Sequence, residues 1–322
     1  MISFRSRYTL VIVSIRFCLV SVSLVCFGLI APVSAEPLRV VSYNVENLFH
    51  PDKDSLKNDT EWTPDGERHW NYTRYHRKIE NIARVLTNIG EWNGVDIVGL
   101  QEVENAPCVE RLCQTLRRGE YDYIHYEGPD RRGIDVALLY KKSRVDTIRT
   151  QAFPVYLSAT ETTRDILYVC AQVDKRDTLH LLVCHMPSQR GGAAESQWKR
   201  YQAKQVLQTA VDSIRTLYPQ AKIIVMGDMN SAPKEDISGL QNRMLHIEKA
   251  GTHKHQGQWT CLDQFYTSSN VSGEVNIYDA EWIQEPDEKY MGLKPKRTYQ
   301  GYHYQNGYSD HLPIVLTLEN NP

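Results

Sequence analysis

The chain has 322 residues, with 37 lysines and arginines against 39 aspartates and glutamates, so its formal net charge is −2 at pH 7. This balance argues against a large basic surface for gripping phosphate backbones, but it leaves room for a local basic cleft or one neutralised by a metal. The length suits one large domain or two small ones. Because no Pro/Gly/Ser-rich linker and no internal repeat interrupts it, we expect a single domain at residues 36–322.

The first 35 residues, here called the leader, have the pattern of a secretory signal peptide. Arg5 and Arg7 form a basic start, residues 10–30 are largely apolar, and the small-residue triplet 33–35 precedes Glu36 as a cleavage site does. An uncleaved membrane anchor is the alternative, because the apolar stretch is close to the roughly 20 residues that span a bilayer. We favour cleavage, which predicts a secreted or periplasmic protein. Removing the leader removes three arginines and no acid, so the net charge changes from −2 to −5.

Seven cysteines are present, of which two lie in the leader. The other five are an odd number, so at least one is free or bonded to another molecule. Cys170 and Cys184 lie on two runs that look like a hairpin, and a disulfide between them is one hypothesis for an oxidising compartment. Buried free cysteines that pack as small apolar side chains are the alternative. The five are Cys108, Cys113, Cys170, Cys184 and Cys261.

Apolar periodicity and turn residues predict strands and helices that alternate along part of the chain. We predict strands at 38–43, 95–100, 133–140, 166–173, 179–184 and 223–226, one that begins at 259, and one at 311–318. We predict helices at 75–89, 107–116 and 194–217. This mixture indicates an α/β fold in which two β-sheets pack together with helices outside.

The helical spacing also predicts which side chains point inward. For the first helix these are Ile79, Ile82, Ala83, Leu86 and Ile89. For the last they are Trp198, Tyr201, Val206, Ala210, Ile214 and Leu217.

A polar stretch at residues 46–74 separates the first strand from the first helix, and we expect a solvated loop there. Its acids do not have the spacing of a calcium loop, since Lys57 stands where an EF-hand needs glycine. Trp62 and Trp70 either fix this loop to the body of the protein or stack on a base of a substrate. We favour the first alternative.

Polar side chains at several predicted strand ends suit metal binding and activation of a water. Glu102 follows the strand at 95–100 without a basic neighbour in the sequence, and such an acid is costly unless it is solvated, paired or bound to a metal. Asp228 and Asn230 follow the strand at 223–226 and can orient one water, although an Asx-type turn cap is the alternative. Ligands gather at the carboxyl ends of strands in open α/β sheets, so these groups can share one cleft.

Two histidines and two further acids complete the candidate site. Asp310 precedes His311 directly, and Asp263 and His185 come from two other strand ends. A carboxylate bonded to an imidazole fixes its tautomer and raises its basicity. For any one histidine, a buried structural role is the simpler interpretation, but the whole set together favours a hard divalent metal with acid/base chemistry. The set is Asn44, Glu102, His185, Asp228, Asn230, Asp263, Asp310 and His311.

These motifs resemble those of the endonuclease/exonuclease/phosphatase superfamily, to which pancreatic-type DNase and the major apurinic endonucleases belong. The resemblance covers residues 38–318, and the segment at 44–49 resembles that of bacterial extracellular nucleases in this superfamily. It implies a DNase I-like fold, a four-layer α/β sandwich of two mixed β-sheets flanked by helices. The matching segments are SYNVENLF at 42–49, LQEV at 100–103, GIDVA at 133–137, GDMN at 227–230, WTCLDQ at 259–264 and YSDHLP at 308–313.

The resemblance implies a role for each polar residue. Asn44 and Glu102 match a pair that binds Mg²⁺ or Mn²⁺, and Asp310 matches an acid beside this metal. Asp228 matches the residue that activates the attacking water, with Asn230 as its partner. His311 matches the imidazole at the scissile phosphate, Asp263 is oriented against it, and His185 matches a histidine near the leaving group. Arg190 and Asn47 are candidate substrate contacts, and an ordinary exposed loop arginine is the alternative for Arg190.

The sequence therefore predicts a metal-dependent phosphodiesterase, with DNA or RNA as the preferred substrate and an activated water as the nucleophile. Hydrolysis of a phospholipid head group, as in sphingomyelinases, or of an inositol phosphate is the alternative within the same fold. A noncatalytic binding module is a third hypothesis, which the intact set of polar residues disfavours. We expect a monomer without a stable protein partner.

Overall fold

The computed structural model describes residues 36–189, 191–249 and 251–319. The leader lies outside the described residues, so its cleavage and the membrane-anchor alternative stay predictions. In the part of the chain that is described, no helix has the length and apolar character needed to cross a membrane.

The strands and helices form most of the described chain. The helices are α1 (Tyr72–Gly90), α2 (Ala106–Leu116) and α3 (Gln197–Leu217), with short 3₁₀ segments at Thr60–Trp62 and Glu281–Ile283. The first strands are β1 (Leu38–Leu48), β2 (Ile97–Val103), β3 (Tyr121–His125), β4 (Asp135–Lys141), β5 (Val145–Phe153), β6 (Ile166–Val173), β7 (Asp177–His185), β8 (Lys222–Asp228) and β9 (Gln241–Asn242). The later strands are β10 (His253–His255), β11 (Gln258–Thr260), β12 (Asp263–Thr267), β13 (Gly273–Ile277), β14 (Gln284–Pro286), β15 (Leu293–Pro295), β16 (Tyr299–Gln300), β17 (His303–Tyr304) and β18 (Ile314–Leu318).

Two six-stranded mixed sheets form the body of the fold. The first has the order β13-β18-β1-β2-β4-β3 and the second the order β5-β6-β7-β8-β12-β9. Each contains one parallel pair, β1 with β2 and β7 with β8, while their other pairs are antiparallel. The carboxyl ends of the paired parallel strands therefore lie together at one edge of each sheet, where ligands gather in such folds. The predicted α/β sandwich of two packed sheets with outer helices is confirmed.

The two sheets face each other across an apolar layer. Gly99 of β2 lies so close to the second sheet that an added Cβ would be 2.7 Å from Sδ of Met226 and 3.2 Å from Cγ1 of Val183. Interiors packed at this density leave no room for a larger side chain, which is why glycine occupies this strand position. The outer helices α1 and α2 belong to the core of the first sheet, and α3 packs on the second.

The predicted inward face of α1 is confirmed, but that of α3 is wrong in part. All five apolar residues assigned to the α1 face are buried. In α3, Trp198, Tyr201 and Leu217 are 44%, 59% and 65% exposed, although Ala210 and Ile214 are buried. The buried stripe instead contains Ala203, Leu207 and Val211, because small and aliphatic side chains let the helix approach the sheet.

Strands β3 and β5 are absent from the sequence prediction. Both lie at the edges of their sheets, and most side chains of β5 are exposed or half-buried. Such strands have little of the apolar alternation on which a sequence prediction depends. Backbone pairing with β4 and with β6 fixes them instead.

The tryptophans of the 46–74 segment fix it to the body of the protein, which confirms the first alternative. Trp62 stacks on Phe49 with ring centroids 4.8 Å apart, and Trp70 donates a hydrogen bond from Nε1 to the carbonyl of Phe49. Both indoles are buried. The alternative of stacking on a substrate base is therefore wrong for these two side chains.

The disulfide hypothesis for Cys170 and Cys184 is also wrong. The β6–β7 register places Cys170 opposite His180, so the two sulfurs are not cross-strand neighbours. All five cysteines outside the leader are free, and Cys261 alone among them is not fully buried. The alternative of buried free thiols holds for the other four.

Candidate active site

A bulge at the carboxyl ends of β1 and β2 positions Asn44 and Glu102. The pairing of the two strands shifts register after Asn44, and Glu46, Asn47 and Glu102 have positive φ angles of 52°, 59° and 66°. This backbone turns the Glu102 carboxylate to accept hydrogen bonds from the Asn47 amide at 3.0 Å and from Nδ2 of Asn44 at 3.3 Å. Bulges commonly re-aim side chains beside active sites in this way.

Asp228 ends β8 and comes from the second sheet. Its Oδ2 accepts a hydrogen bond from Nδ2 of Asn44 at 3.1 Å, and its Oδ1 accepts one from the amide of Asn230 at 2.8 Å. The preceding Gly227 has a φ of 144°, and a Cβ there would be 1.9 Å from the carbonyl oxygen of Cys184. Burial raises the pKa of Asp228 to about 7, against the opposing effect of His311. Asn44 and Asp228 therefore join the two sheets at the site.

His311 and Asp263 form a buried pair beside Asp228. The antiparallel register of β12 and β8 sets Asp263 opposite Asp228, and Oδ2 of Asp263 lies 2.7 Å from Nδ1 of His311. The other ring nitrogen, Nε2, is 3.9 Å from Oδ2 of Asp228. Burial alone would lower the pKa of His311, but Asp263, with help from Asp228 and Asp310, raises it well above its usual value. His311 is thus held as an imidazolium.

His185 ends β7 on the other side of Asp228. Its Nε2 lies 3.7 Å from Oε1 of Glu102 and 3.7 Å from Oδ2 of Asp228. Burial, followed by the positive charges of Arg164 and Arg132, lowers the pKa of His185 well below its usual value. The site therefore holds one charged and one neutral imidazole on either side of a single carboxylate, an arrangement suited to acid/base catalysis.

A network of charged side chains surrounds Asp310, the acid that the sequence analysis placed beside the metal. Arg297 forms an ion pair with Oδ2 of Asp310, and its Nε is 3.8 Å from Oε1 of Glu46. The Nζ of Lys78 donates to the carbonyl of Tyr308 at 2.6 Å. Burial and Asp310 together raise the pKa of Glu46 to about 7, and burial lowers that of Lys78 to about 8. Although burial acts in the opposite direction, Arg297 holds the pKa of Asp310 well below its usual value.

The structure brings eight predicted side chains into contact with one another or with the residues that hold them. Asn230 donates from Nδ2 to the carbonyl of Met186 at 3.0 Å, which ties the β8 end to the loop after β7. Asn47 takes part through its backbone amide, as described for Glu102. Asp310 lies with Arg297 and His253. Arg190 lies outside the described residues, so its predicted substrate contact is still a prediction.

The donor set fits a hard divalent cation. Asn44 supplies an amide and Glu102 a carboxylate at the same strand ends, and Asp228 adds a second carboxylate that accepts from the same amide. An amide and one or two carboxylates leave positions for water and phosphate oxygens, as Mg²⁺ sites usually have. Asn44 turns Nδ2 toward the two carboxylates, while its Oδ1 accepts a hydrogen bond from the Glu46 amide. Ligation through Oδ1 beside Glu102 therefore requires rotation of the amide group.

Sequence reasoning missed His253, Lys78 and Arg297 as members of the site. His253 and Arg297 come from the irregular region after β8, where no strand-end motif marks them. Lys78 looks like an ordinary cation on the polar side of a helix, yet it is almost fully buried. Its position directly before Ile79 of the apolar stripe of α1 is a weak signal for burial.

The comparisons with known proteins agree with this fold. A model described as Endonuclease/Exonuclease/phosphatase family matches residues 39–320. No curated protein matches the chain. Solved structures do: TDP2 from C. elegans has 15% identity and a TM-score of 0.58, over 88% of this chain and 75% of that one.

Two further structures match over nearly their whole length. A mannosyl-6-phosphatase of Bacteroides thetaiotaomicron has 16% identity and a TM-score of 0.57, over 87% of this chain and 99% of that one. The human Nocturnin catalytic domain with bound sulfate has 17% identity and a TM-score of 0.54, over 89% of this chain and 96% of that one. At these identities the likeness concerns the fold alone. The family match over residues 39–320 goes further, and the chain belongs to the endonuclease/exonuclease/phosphatase family of phosphoester hydrolases.

Proposed function

We propose that this hydrolase is a metal-dependent phosphodiesterase that uses an activated water. The arrangement of His185, Asp228 and His311 is the observation that supports this proposal most. A carboxylate with a pKa of about 7 is poised to take a proton from water near neutral pH. An imidazolium 3.9 Å from that carboxylate is placed to stabilise the charge that develops on a phosphate.

Asn44 and Glu102 are the residues that we propose as ligands of Mg²⁺ or Mn²⁺. Such a cation, when bound, supplies charge neutralisation for the non-bridging phosphate oxygens. Asp228 orients the attacking water, and the Asn230 amide orients Asp228 through Oδ1. His311 holds its proton at Nε2 because Asp263 occupies Nδ1. His185 faces the same carboxylates from the opposite side and is the candidate for assisting the leaving oxygen.

We propose a nucleic acid as the first candidate substrate, from the resemblance of residues 44–49 to bacterial extracellular nucleases. A smaller phosphoester is the second candidate, and one observation favours it. Next to the site, a cavity of about 380 Å³ is lined by Arg132, Arg164 and Lys199. The three cations are paired with Asp130 and Glu161. A cavity of balanced charge attracts a polyanion less than a basic groove does.

Location and assembly are proposals from the sequence. The leader pattern supports export to the periplasm or the exterior. An enzyme there encounters extracellular nucleic acids or phospholipids and has no access to the genome of its own cell. A monomer is likewise a proposal carried over from the sequence. Size-exclusion chromatography coupled to light scattering tests the assembly, and the N-terminal sequence of the exported protein tests cleavage before Glu36.

The decisive experiment measures hydrolysis by the purified protein with Mg²⁺, with Mn²⁺ and with EDTA. The substrates are plasmid DNA, single-stranded DNA, RNA, sphingomyelin, bis-p-nitrophenyl phosphate and a sugar 6-phosphate. The His311→Ala variant is the blank. Metal-dependent cleavage of DNA or RNA that the variant lacks supports the nuclease proposal. Turnover of only the lipid or the small esters replaces it with the second candidate, and no turnover of any substrate contradicts the catalytic proposal.

A further inference from the structure

His253 is a site residue with no assigned role. It begins β10, and an isolated backbone bridge pairs it with His311. The two imidazole rings lie with centroids 4.8 Å apart at an interplanar angle of 41°. Across residues 36–319, positions 190 and 250 aside, no hydrogen bond is found from the His253 ring, so its nitrogens are available to a ligand.

Three side chains here have the donor types of a transition-metal site. One ligand atom each from His253, Asp310 and His311 lies within 4.8 Å of the other two. Zinc bound at about 2.1 Å in tetrahedral geometry holds its ligands about 3.4 Å apart, so closing the site requires a movement of at most about 1.4 Å. Two imidazoles and one carboxylate are a common zinc ligand set, with the fourth position left for water or substrate.

The remaining contacts of these side chains leave suitable atoms for a metal. Asp263 occupies Nδ1 of His311, which leaves Nε2, and this nitrogen must release its proton to the solvent when it ligates a metal. A carboxylate bonded to the far side of a ligating imidazole is the usual support of such a ligand. Arg297 pairs with Oδ2 of Asp310, which leaves Oδ1. These ligands differ from the oxygen donors of Asn44 and Glu102, which suit Mg²⁺.

We propose that His253, Asp310 and His311 form a second metal site that selects Zn²⁺-class ions over Mg²⁺. Imidazole ligands suit zinc and its neighbours, whereas magnesium prefers oxygen. If the proposed phosphodiesterase function holds, an ion at this site binds Nε2 of His311, and this nitrogen can then no longer contact the phosphate. Occupancy then inhibits the Mg²⁺-dependent reaction, so zinc is an inhibitor of this enzyme.

The test of binding uses Co²⁺ as a spectroscopic probe of the purified protein, in excess Mg²⁺. Co²⁺ bound to nitrogen ligands in a tetrahedral site absorbs visible light, and Zn²⁺ then displaces it. We expect His253→Gln to weaken Co²⁺ binding about tenfold or more, because loss of an outer-shell partner alone costs 10–100-fold. His255→Gln is the matched control, since its ring lies 6.4 Å from that of His253 outside the cluster.

Glu102→Gln distinguishes the two metal sites. Binding of Co²⁺ that survives Glu102→Gln and is lost in His253→Gln establishes the proposal. Binding lost in Glu102→Gln and kept in His253→Gln places the ion at the Asn44 site and overturns it, as does the absence of a tetrahedral spectrum. His253→Asn serves as a second variant if circular dichroism shows that His253→Gln is misfolded.

Inhibition is measured separately, as the Zn²⁺ concentration that halves turnover at fixed Mg²⁺. We expect this concentration to rise about tenfold or more in His253→Gln and to stay unchanged in His255→Gln. The spectrum requires no turnover, so an inactive protein that still binds Co²⁺ contradicts the proposed function alone. An active protein without the spectrum contradicts the metal site alone.

Discussion

Asp263 and His311 are 48 residues apart in the chain, yet Oδ2 of the one lies 2.7 Å from Nδ1 of the other. The carboxylate is fully buried, and the ring is 7% exposed. A charge-assisted hydrogen bond in such a place is strong, and it fixes which ring nitrogen faces the catalytic cleft. Asp263 therefore raises the pKa of His311 and keeps it protonated to a higher pH than an isolated imidazole.

Replacing Asp263 with asparagine should lower the pH above which the enzyme loses activity. His311 acts as an imidazolium, and its raised pKa keeps it charged as the pH rises. Because Asp263→Asn removes the largest raising influence, His311 loses its proton at a lower pH, and kcat/KM falls earlier. The measurement is the pH profile of kcat/KM at saturating metal. Asp279→Asn, which changes an exposed partner of Lys249, is the control. If kcat/KM falls at the same alkaline pH in both variants as in the wild type, Asp263 does not set the pKa of His311.

The Asp228→Asn variant should lose most of its activity while the protein stays folded. Asparagine keeps an oxygen for the Asn230 amide, but it cannot accept a proton from water. General-base catalysis contributes about 10²–10⁴-fold, so we expect kcat to fall by about 100-fold or more. Asp212→Asn on the exposed side of α3 is the matched control. A variant with more than a tenth of the original kcat would show that Asp228 is not the base.

Glu102→Gln should raise the Mg²⁺ concentration needed for half-maximal activity by about tenfold or more. The neutral amide keeps the shape of the side chain but loses the charge that attracts a hard cation. Activity is titrated against Mg²⁺ and Mn²⁺ at a fixed substrate concentration. Asp212→Asn, on the exposed side of α3, is the control and should leave this half-saturation value in place. If both variants shift the metal requirement equally, Glu102 is not a specific ligand.

Glu104→Gln should remove part of the pH dependence of stability. Burial raises the pKa of Glu104 from 4.5 to about 8, while its carboxylate accepts hydrogen bonds from the His50 amide and from Asn105. The folded state therefore binds this proton more tightly than the unfolded state does. The free energy of unfolding should fall as the pH rises from about 4.5 to about 8, by up to about 1.4 kcal/mol per pH unit.

In the Glu104→Gln variant this contribution is absent, so the loss of stability between pH 5 and pH 8 becomes smaller. Urea unfolding at the two pH values measures it for both proteins. Glu110→Gln, an exposed acid on α2, is the control and should follow the wild type. Equal slopes for the Glu104 variant and the wild type would mean that this carboxyl is ionised throughout the range.

Local sequence was sufficient for the elements with strong apolar patterns. The strand at 166–173 and the apolar face of α1 follow from side-chain periodicity, which has the same physical cause in sequence and structure. The same reasoning assigned Trp198 and Tyr201 to the wrong side of α3, because large aromatic side chains are apolar yet hold a helix away from a sheet. Periodicity did not predict the edge strand β5, because backbone pairing and not side-chain burial holds that strand.

The sequence by itself determined the kinds of chemical group at the strand ends and the family to which their motifs belong. The tertiary structure decided which groups touch. Only the packing of two sheets places Asn44 3.1 Å from Asp228, and only the return of the chain after β9 brings His253 and Arg297 to Asp310. The tertiary structure also decided the protonation states of the site residues, because the burial and neighbouring charges that set a pKa are properties of the folded chain.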